Sequence, residues 1–351
     1  MTFAEARRAI YIDFECLKGR PPKPPHPALL GVLVGSEGES FGQIITDERL
    51  AVAKLANKRW RIVTATAAAA ADALIDQAKD GQRRIVGWSF FDRDRLVEAR
   101  PNLRADINAL YVNALQVARP WRQAIHPGVS IEREDRFAPK HTLDKYATLA
   151  GYPVTAGFQN ATPAKWIRHT LNQLKATNGR YRQTTKQTKR DWHDLLEYNR
   201  HDCLALRHIV LKASREMECW RAYEQTRFCV DDGPRRICFR VGSRSAKLEA
   251  LLRRHETSTW AFLTAWNPAA VELSRADNDA RQDDLKRNLQ AAGYKWLSGE
   301  GIGDDPLWKP EQSLLVLGIS RGKAVALGRA FGQLAVVVGR RGGASHLVSS
   351  A

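Results

Sequence analysis

Residues 9–15 read Ala9-Ile10-Tyr11-Ile12-Asp13-Phe14-Glu15, an apolar run that ends in two carboxylates. The branched and aromatic residues predict a core β-strand. Side chains at i and i+2 of a strand point to the same face, so Asp13 and Glu15 should lie side by side. Two buried carboxylates repel each other, and a divalent cation such as Mg²⁺ or Mn²⁺ between them would remove that cost. The alternative is a strand that simply ends at the solvent edge.

A further acidic position follows a second predicted strand. The strand is predicted at residues 84–89, and a helix begins at Phe90 with Asp92 in its first turn. By itself, Asp92 would be interpreted as a helix cap. Asp94 lies two residues further on, about 200° around the helix, which predicts that it points to solvent.

Another acidic position lies on a helix later in the chain. The helical spacing of residues 195–206 places Tyr198 and Asp202, at i and i+4, on one face. An ordinary hydrogen-bonded surface pair would explain either residue alone. It would not explain the whole series of acidic positions.

These positions, taken in order, resemble the exonuclease motifs of the DEDD superfamily, tyrosine subtype. The motifs are D-x-E on a first strand, F-D-x-x-x-L after a later strand and Y-x-x-x-D on a late helix. The segment 141–152 also resembles the helix ending in L-G-[YF] that such nucleases carry between the second and third motifs. Ser89 departs from the pattern, because many relatives have Asn there, and both intervals between motifs are longer than usual.

The resemblance implies an α/β fold for residues 1–232, a ribonuclease-H-like mixed sheet flanked by helices. It also implies a nuclease with two Mg²⁺ or Mn²⁺ ions, a 3′→5′ exonuclease on single-stranded ends of DNA or RNA. Asp13 would bridge the ions, Glu15 and Asp202 would complete the first, and Asp92 would act on the second through water. Tyr198 would orient the attacking water, because a phenol pKa of about 10 is too high for a base at neutral pH. The alternatives are a catalytically inactive nucleic-acid-binding protein on the same fold and a ribonuclease-H-like endonuclease.

The chain is strongly basic, with 55 Lys and Arg against 38 Asp and Glu and a net charge of +17. Such charge attracts polyanions, although it also serves solubility. Residues 165–190 mix cations with aromatic rings, the ingredients of single-strand binding. We therefore expect nucleic-acid contacts from Lys165, Trp166, Arg168, Arg180, Tyr181, Arg182 and Lys186. Helical spacing also allows Trp166, Ile167 and Leu171 to be core residues beside a solvated basic face.

Residues 240–351 are predicted to form a second, smaller α+β domain after a turn or short linker at 231–236. We expect a strand from 261 that ends in a turn, a helix over 278–292, and strands over 313–319 and 334–338. The motifs T-A-x-N-P, N-x-x-R, E-x-S and F-G-Q-x-A in this region resemble the bacterial family called domain of unknown function 3293. That resemblance implies no activity, and binding of nucleic acid or a nucleotide is one hypothesis for the domain.

Polar residues of this second domain are placed at predicted strand ends or on one helix, as a small pocket would require. They could equally be turn and cap residues. The set is Thr264, Asn267, Asn278, Arg281, Glu311, Ser313 and Gln333.

Cysteine content and hydropathy indicate where in the cell the protein is found. Five cysteines without a C-x-x-C motif predict reduced thiols and a cytoplasmic protein. Cys16 and Cys203 adjoin the acidic motifs, but strand and helix geometry turns them toward the core. No run approaches the roughly 18–20 apolar residues of a membrane span, and residues 1–17 lack the apolar core of a signal peptide, so we expect no membrane partner.

Overall fold

The computed structural model describes residues 1–17, 25–35, 40–56, 61–131, 141–158, 161–305 and 308–351. Its internal contacts divide the chain into two compact units. The first unit comprises Met1–Pro120 and Ile131–Arg215, and the second comprises Trp121–Ser130 and Glu216–Ala351.

The described part of the first unit contains six strands and most of the helices. The strands are β1 (Ile10–Leu17), β2 (His26–Val34), β3 (Ser40–Ile45), β4 (Arg61–Thr64), β5 (Ile85–Gly87) and β6 (Tyr111–Asn113). The helices are α1 (Phe3–Arg8), α2 (Ala67–Asp80), α3 (Phe90–Ala99), α4 (Arg104–Leu110), α5 (Ala114–Ile125), α6 (Leu143–Leu149), α7 (Pro163–Ala176) and α8 (Lys186–Gln225), of which α5 and α8 continue into the second unit. Short 3-10 segments occur at Glu48–Ala56, Pro101–Leu103, Ala156–Phe158 and Tyr181–Gln183.

These strands form one mixed sheet in the order β4-β3-β2-β1-β5-β6. β1 lies inside the sheet, antiparallel to β2 and parallel to β5. The β2–β3 pair is antiparallel, whereas the β3–β4 and β5–β6 pairs are parallel. The predicted mixed α/β architecture, a sheet flanked by helices, is therefore confirmed.

Alternation along β1 assigns its side chains to the two faces of the sheet. Ile12 and Phe14 pack in a core that includes residues of α2. Tyr11 packs on the opposite face, in a core that includes residues of α8. Asp13 and Glu15 follow Tyr11 at intervals of two residues, so they face α8.

Gly31 of β2 lies opposite Asp13 in the β1–β2 ladder. A Cβ atom at this position would lie 2.8 Å from Cys203 Sγ and even closer to Asn199 Oδ1. Both of these atoms belong to α8. The glycine therefore allows α8 to approach the sheet beside Asp13.

The described part of the second unit contains seven strands in one antiparallel sheet, in the order β13-β12-β9-β11-β10-β7-β8. The strands are β7 (Arg227–Asp232), β8 (Arg235–Phe239), β9 (Thr259–Leu263), β10 (Lys295–Ile302), β11 (Glu311–Leu317), β12 (Ala335–Arg340) and β13 (His346–Ser349). The helices are α9 (Ala246–Arg254), α10 (Arg275–Ala291) and α11 (Arg321–Ala330), with a 3-10 segment at Pro268–Ala270. The predicted strand and helix positions of the C-terminal region agree with these elements within a few residues.

Apolar side chains cover both faces of this second sheet. One core joins aromatic residues such as Phe228 and Phe262 to Leu251 of α9. The other core includes Leu285 of α10 and Ala324 of α11. Within the described residues, no helix combines the length and the hydropathy that crossing a bilayer requires.

The turn predicted at 231–236 closes the β7–β8 hairpin, and Gly233 in it has a φ of 60°. β7 also pairs with β10, so this hairpin belongs to the second sheet. The second unit accordingly takes in Glu216 onward, whereas the predicted second domain starts at residue 240. Local sequence marked the turn but could not show which sheet its flanking strands join.

Cys229 and Cys238 form a disulfide bond between β7 and β8. They are directly paired in the hairpin register, and their Cα atoms are 4.1 Å apart. The expectation that all cysteines are reduced is therefore wrong for this pair, because the hairpin turn places the two residues opposite each other. The core positions expected for Cys16 and Cys203 are confirmed: Cys203 is fully buried, and Cys16 packs against the core on the α2 face.

Candidate active site

Three carboxylates converge on the α8 face of the first sheet. Asp13 and Glu15 come from β1, and Asp202 comes from α8. One carboxylate oxygen of each lies within 4.8 Å of the other two. Glu15 and Asp202 are buried, and Asp13 is half-buried. The strand alternation that pairs Asp13 with Glu15 thus also turns the pair toward the helix that carries Asp202.

Asp92 joins this group from the first turn of α3. Ser89 caps the helix, and its hydroxyl accepts a hydrogen bond from the Phe91 N–H. Asp92 Oδ1 accepts a hydrogen bond from the backbone N–H of Phe14 at 3.1 Å. Because Phe14 lies between Asp13 and Glu15, this bond ties α3 to the strand segment that carries both carboxylates.

Asp94, by contrast, lies outside the group. Its carboxylate forms an ion pair with Arg93, and its side chain is 49% exposed. The predicted solvent-facing orientation is confirmed. Of the two carboxylates in this turn, only Asp92 is buried against β1.

A buried amide pair supports Asp13. Asn199 of α8 donates from Nδ2 to Asp13 Oδ2 at 2.9 Å and to the Asp13 carbonyl oxygen at 3.0 Å. Gln43 of β3 donates from Nε2 to Asn199 Oδ1 at 3.0 Å and to the Leu196 carbonyl oxygen at 2.9 Å. Sequence reasoning missed both amides. The available signal was helical spacing, since Asn199 precedes Asp202 by three residues and shares its face.

Tyr198 lies beside this cluster and is half-buried. Its ring meets those of Phe158 and Trp166 edge to face, with centroid distances of 5.5 and 6.0 Å. Burial, the nearby charges of Asp202 and Glu15, and a hydrogen bond to Asp202 all raise the pKa of Tyr198. The phenol therefore remains protonated at neutral pH.

Burial dominates the electrostatics of the four carboxylates. It raises the pKa of Asp13 to about 6 and that of Asp92 to about 8, the latter also through repulsion by Asp13. Burial and the neighbouring carboxylates raise the pKa values of Glu15 and Asp202 well above their ordinary range. These raised pKa values mean that the four ionised carboxylates have no positive charge near them, among the described residues, to offset their repulsion.

No described Lys or Arg forms an ion pair with any of the four carboxylates. Glu15 Oε1 and Asp202 Oδ1 are buried and have no hydrogen-bond partner within the described ranges. Buried, unpaired oxygens of this kind are ligands for hard divalent cations. The residues present therefore fit a divalent cation at this position.

A second group shares Asp202. Asp144 of α6 and His201 of α8 place ligand atoms within 4.8 Å of one another and of the Asp202 carboxylate. Burial lowers the pKa of His201, which favours the neutral imidazole that binds metals. Sequence reasoning missed both residues, because nothing local indicates that α6 delivers Asp144 to this face of α8.

The predicted nucleic-acid-binding cations are all exposed. They are Lys165, Arg168, Arg180, Arg182 and Lys186. Trp166 is half-buried against the core formed by Ile167 and its neighbours, with Leu171 at the edge of the same core. The alternative interpretation of α7, a core face beside a solvated basic face, therefore describes the packing of this helix.

Tyr181 is an exception among the predicted binding residues. It is 9% exposed and belongs to the core that contains Trp192. Burial raises its pKa to about 12. The expectation that this ring stacks on bases is wrong, since a buried ring does not present the exposed face that stacking requires.

Two exposed phenylalanines lie directly before Asp92. Phe90 is 41% exposed and Phe91 is 40% exposed. The Arg93 guanidinium lies 4.3 Å from the centroid of the Phe90 ring, and that of Arg95 lies 5.0 Å from the Phe91 centroid. Sequence reasoning treated both phenylalanines as part of the helix start, although two consecutive large apolar residues beside an acidic motif were a usable signal.

In the second unit, three of the seven predicted pocket residues, Asn267, Asn278 and Arg281, hold a turn. Asn278 accepts from the Asn267 N–H at 2.9 Å and donates to Asn267 Oδ1 at 2.8 Å. Asn267 itself has a φ of 44°. Arg281 donates to the carbonyl oxygens of Ala265 and Phe331. Asn278 and Arg281 thus have the structural roles that the turn-and-cap alternative predicts.

The other predicted pocket residues line a cavity in this unit, as the pocket hypothesis requires. Two of them also bond to the backbone: Thr264 donates to the Gln312 carbonyl oxygen at 2.7 Å, and Gln333 to that of Trp266 at 2.7 Å. Glu311 instead presents a carboxylate. The residues of the set that line the cavity are Thr264, Glu311, Ser313 and Gln333.

Comparison with known proteins bears on the C-terminal part of the chain. No curated protein matches the sequence. Residues 263–336, from the end of β9 to the start of β12, match the family model described as "Protein of unknown function (DUF3293)", which confirms the resemblance of that segment.

Proposed function

We propose that the first unit is a metal-dependent nuclease of the DEDD tyrosine type with a ribonuclease-H-like fold. It would hydrolyse phosphodiester bonds as a 3′→5′ exonuclease on single-stranded ends of DNA or RNA. The observation that carries this proposal is the convergence of Asp13, Glu15 and Asp202 within 4.8 Å. Asp92, bonded to Phe14 in the same strand, supplies the fourth carboxylate.

The carboxylates fit a pair of hard divalent ions, Mg²⁺ or Mn²⁺. Asp13, Glu15 and Asp202 would hold one ion, and Asp13 with Asp92 would hold the other. At such a site, divalent ions would neutralise the charge on the scissile phosphate and activate a water. The protein's own contribution is to keep Glu15 Oε1 and Asp202 Oδ1 buried and without a hydrogen-bond partner in the described residues, so that they remain available as ligands.

Asn199 would fix the orientation of Asp13 during this chemistry. Its amide bonds both the carboxylate and the carbonyl oxygen of Asp13, so the side chain cannot rotate without losing a hydrogen bond. Gln43 in turn holds the Asn199 amide. These buried hydrogen bonds support the proposal, because a carboxylate shared by two ions must keep one orientation.

Tyr198 would position the attacking water and would not take its proton. The raised pKa keeps the phenol protonated, and its single proton is donated to Asp202. The phenol oxygen can then accept a hydrogen bond from a water beside that carboxylate. The edge-to-face contacts with Phe158 and Trp166 hold the ring in place.

Exposed rings and cations near these carboxylates fit single-stranded nucleic acid. Phe90 and Phe91 offer ring surface directly before Asp92. Stacking of a base on such a ring contributes about 1–3 kcal/mol and tolerates any sequence. The exposed cations of residues 165–190 supply the accompanying phosphate attraction.

The test is a cleavage assay with 5′-labelled single- and double-stranded DNA and RNA, with Mg²⁺, Mn²⁺ or a chelator. A 3′→5′ exonuclease gives a ladder of shortening labelled products that the chelator abolishes. Immediate release of a labelled mononucleotide would contradict the polarity, and cleavage of a circular substrate would indicate an endonuclease. Metal-independent binding without products would favour an inactive binding protein.

Asp13→Asn is the decisive variant for this assay. Loss of a carboxylate shared by two ions removes several kcal/mol of transition-state stabilisation, so we expect a rate decrease of about a thousandfold or more. Binding of the oligonucleotide should persist or tighten, because a negative charge is removed. The matched control is Asp94→Asn, which changes an exposed carboxylate near Asp92 and should leave the rate unchanged.

A further inference from the structure

The second unit contains a cavity of about 440 Å³. This volume lies within the range of about 300–1,000 Å³ that is typical of small-molecule sites. One wall is the sheet, through residues such as Phe228 and Phe262, and another is the last turns of α8, through Tyr223. Every described lining residue belongs to the second unit.

The cavity is acidic, although the chain as a whole carries a net charge of +17. Its described lining contains four carboxylates and no Lys, Arg or His. The four are Glu218, Asp304, Asp305 and Glu311, of which Asp304 forms an ion pair with Arg240 from outside the lining. Glu311 has no ion-pair partner among the described residues, so it would attract a positively charged ligand and repel one that carries phosphate or carboxylate. This disfavours the nucleotide hypothesis for the domain.

Glu311 is the carboxylate best placed to bind a ligand. Its Oε1 accepts hydrogen bonds from Asn267 Nδ2 at 2.7 Å and from Trp308 Nε1 at 3.2 Å. Its Oε2 has no hydrogen-bond partner within the described ranges, and no described cation forms an ion pair with Glu311. One oxygen is therefore fixed by the protein while the other is left to accept from a ligand.

The orientation of Glu311 depends on the turn that follows β9. Asn267, which donates to Glu311, is itself held by Asn278 through two hydrogen bonds. Asn278 is buried, and Asn267 is 8% exposed. Such a buried polar network fixes the carboxylate before any ligand arrives, which is the property of a built site.

We propose that this cavity binds a small organic cation, such as an amine, amidine or guanidine attached to an apolar or aromatic body. The N–H groups of the cation would donate to Glu311 Oε2. The apolar part of the ligand would pack against the aromatic lining residues. The ring faces would also attract the positive charge through cation–π interactions. The inference concerns the second unit alone and does not rest on the proposed nuclease activity.

Isothermal titration of the full chain with three probes tests this inference. Benzamidine, benzamide and benzoate share one ring and differ in charge. We expect saturable binding of benzamidine, binding of benzamide weaker by at least about tenfold, and no binding of benzoate. Absence of benzamidine binding, or benzoate binding as tightly as benzamidine, would overturn the proposal.

Glu311→Gln is the discriminating variant. Glutamine keeps an oxygen for Asn267 and Trp308 and replaces the other oxygen with an N–H donor, so the turn should persist. We expect the benzamidine affinity to fall by at least about tenfold. Glu272→Gln, which changes an exposed acid outside the lining, is the matched control and should bind as the unmodified protein does.

Circular dichroism shows whether each variant is folded. Trp308→Ala gives a second measurement that does not depend on the folding of Glu311→Gln, because Trp308 is 39% exposed. This variant should also weaken benzamidine binding, through loss of ring surface and of a donor to Glu311. Unchanged affinity in either folded variant would show that benzamidine binds elsewhere and would overturn the proposal.

Discussion

Asn199 donates from one amide nitrogen to both the carboxylate and the carbonyl oxygen of Asp13, at 2.9 and 3.0 Å. A single side chain of α8 thereby fixes the strand and the acidic group that the strand carries. The relationship spans 186 residues of sequence, so it exists only once α8 has packed on the sheet. Formation of the candidate site is in this sense coupled to folding of the first unit.

Asn199→Ala should destabilise the protein by about 1–3 kcal/mol, because the buried Gln43 and the half-buried Asp13 each lose a hydrogen-bond partner. The midpoint of urea unfolding, monitored by circular dichroism, measures this loss. Asn172→Ala, at an exposed position on α7, is the control and should stay within about 0.5 kcal/mol of the unmodified protein. A stability of Asn199→Ala equal to that control would mean that the amide network has no energetic role.

Tyr198→Phe should slow cleavage by only about tenfold, because it removes one positioning hydrogen bond of about 1–1.5 kcal/mol. The ring contacts with Phe158 and Trp166 remain. Single-turnover rates at several pH values separate positioning from proton abstraction. The decrease should be the same at each pH, whereas loss of a pH-dependent limb of the rate profile would identify Tyr198 as the base.

Stability of the metal-free protein should fall as the pH rises. The folded-state pKa values of Asp13, about 6, and Asp92, about 8, both lie above the ordinary value of 3.8. The folded state therefore binds more protons than the unfolded state between about pH 4 and pH 8, and stability is lost as the pH passes through this window. Thermal unfolding in chelator should give a lower Tm at about pH 8 than at about pH 5.

Mg²⁺ or Mn²⁺ should raise the Tm more at the higher of these pH values, because cation binding requires the ionised carboxylates. Asp92→Asn is the matched variant, since its amide oxygen can still accept from the Phe14 N–H while one titrating group is removed. Its pH dependence in chelator should be shallower. A Tm in chelator that rises with pH would contradict the raised pKa values.

Reduction of the Cys229–Cys238 disulfide should destabilise the second unit by about 2–3 kcal/mol, the value expected when a short loop is no longer cross-linked in the unfolded chain. The measurement is Tm with and without reductant. Alkylation of the denatured chain without reductant should modify three of the five cysteines, because two are paired. Modification of all five would show that the bond does not form in solution.

The sequence supported prediction of the elements whose signals are local. Alternation in β1 places Asp13 and Glu15 on one face, and helical spacing places Tyr198 beside Asp202; both placements follow from backbone geometry alone. The outward position of Asp94 is local in the same way. The helix cap, which the sequence suggested at Asp92, is Ser89. None of these depends on which element packs against which.

Features that depend on tertiary packing were not predictable in this way. Gln43 supports the site only through its hydrogen bond to Asn199, which lies 156 residues away in the sequence. Tyr181 lies in a basic, aromatic stretch that is typical of an exposed surface, yet it fills the core. The pairing of Cys229 with Cys238 required the register of a hairpin, which a sequence pattern does not supply.

Gly31 carries no functional group, yet any side chain added there would displace Asn199 and Cys203. We therefore expect Gly31 to tolerate substitution less well than any other residue of β2, although it contacts neither metal nor substrate. Even alanine at residue 31 should displace the Asn199 amide from Asp13 or shift α8 away from the sheet. The close approach of the three carboxylates therefore depends on the absence of a side chain at residue 31.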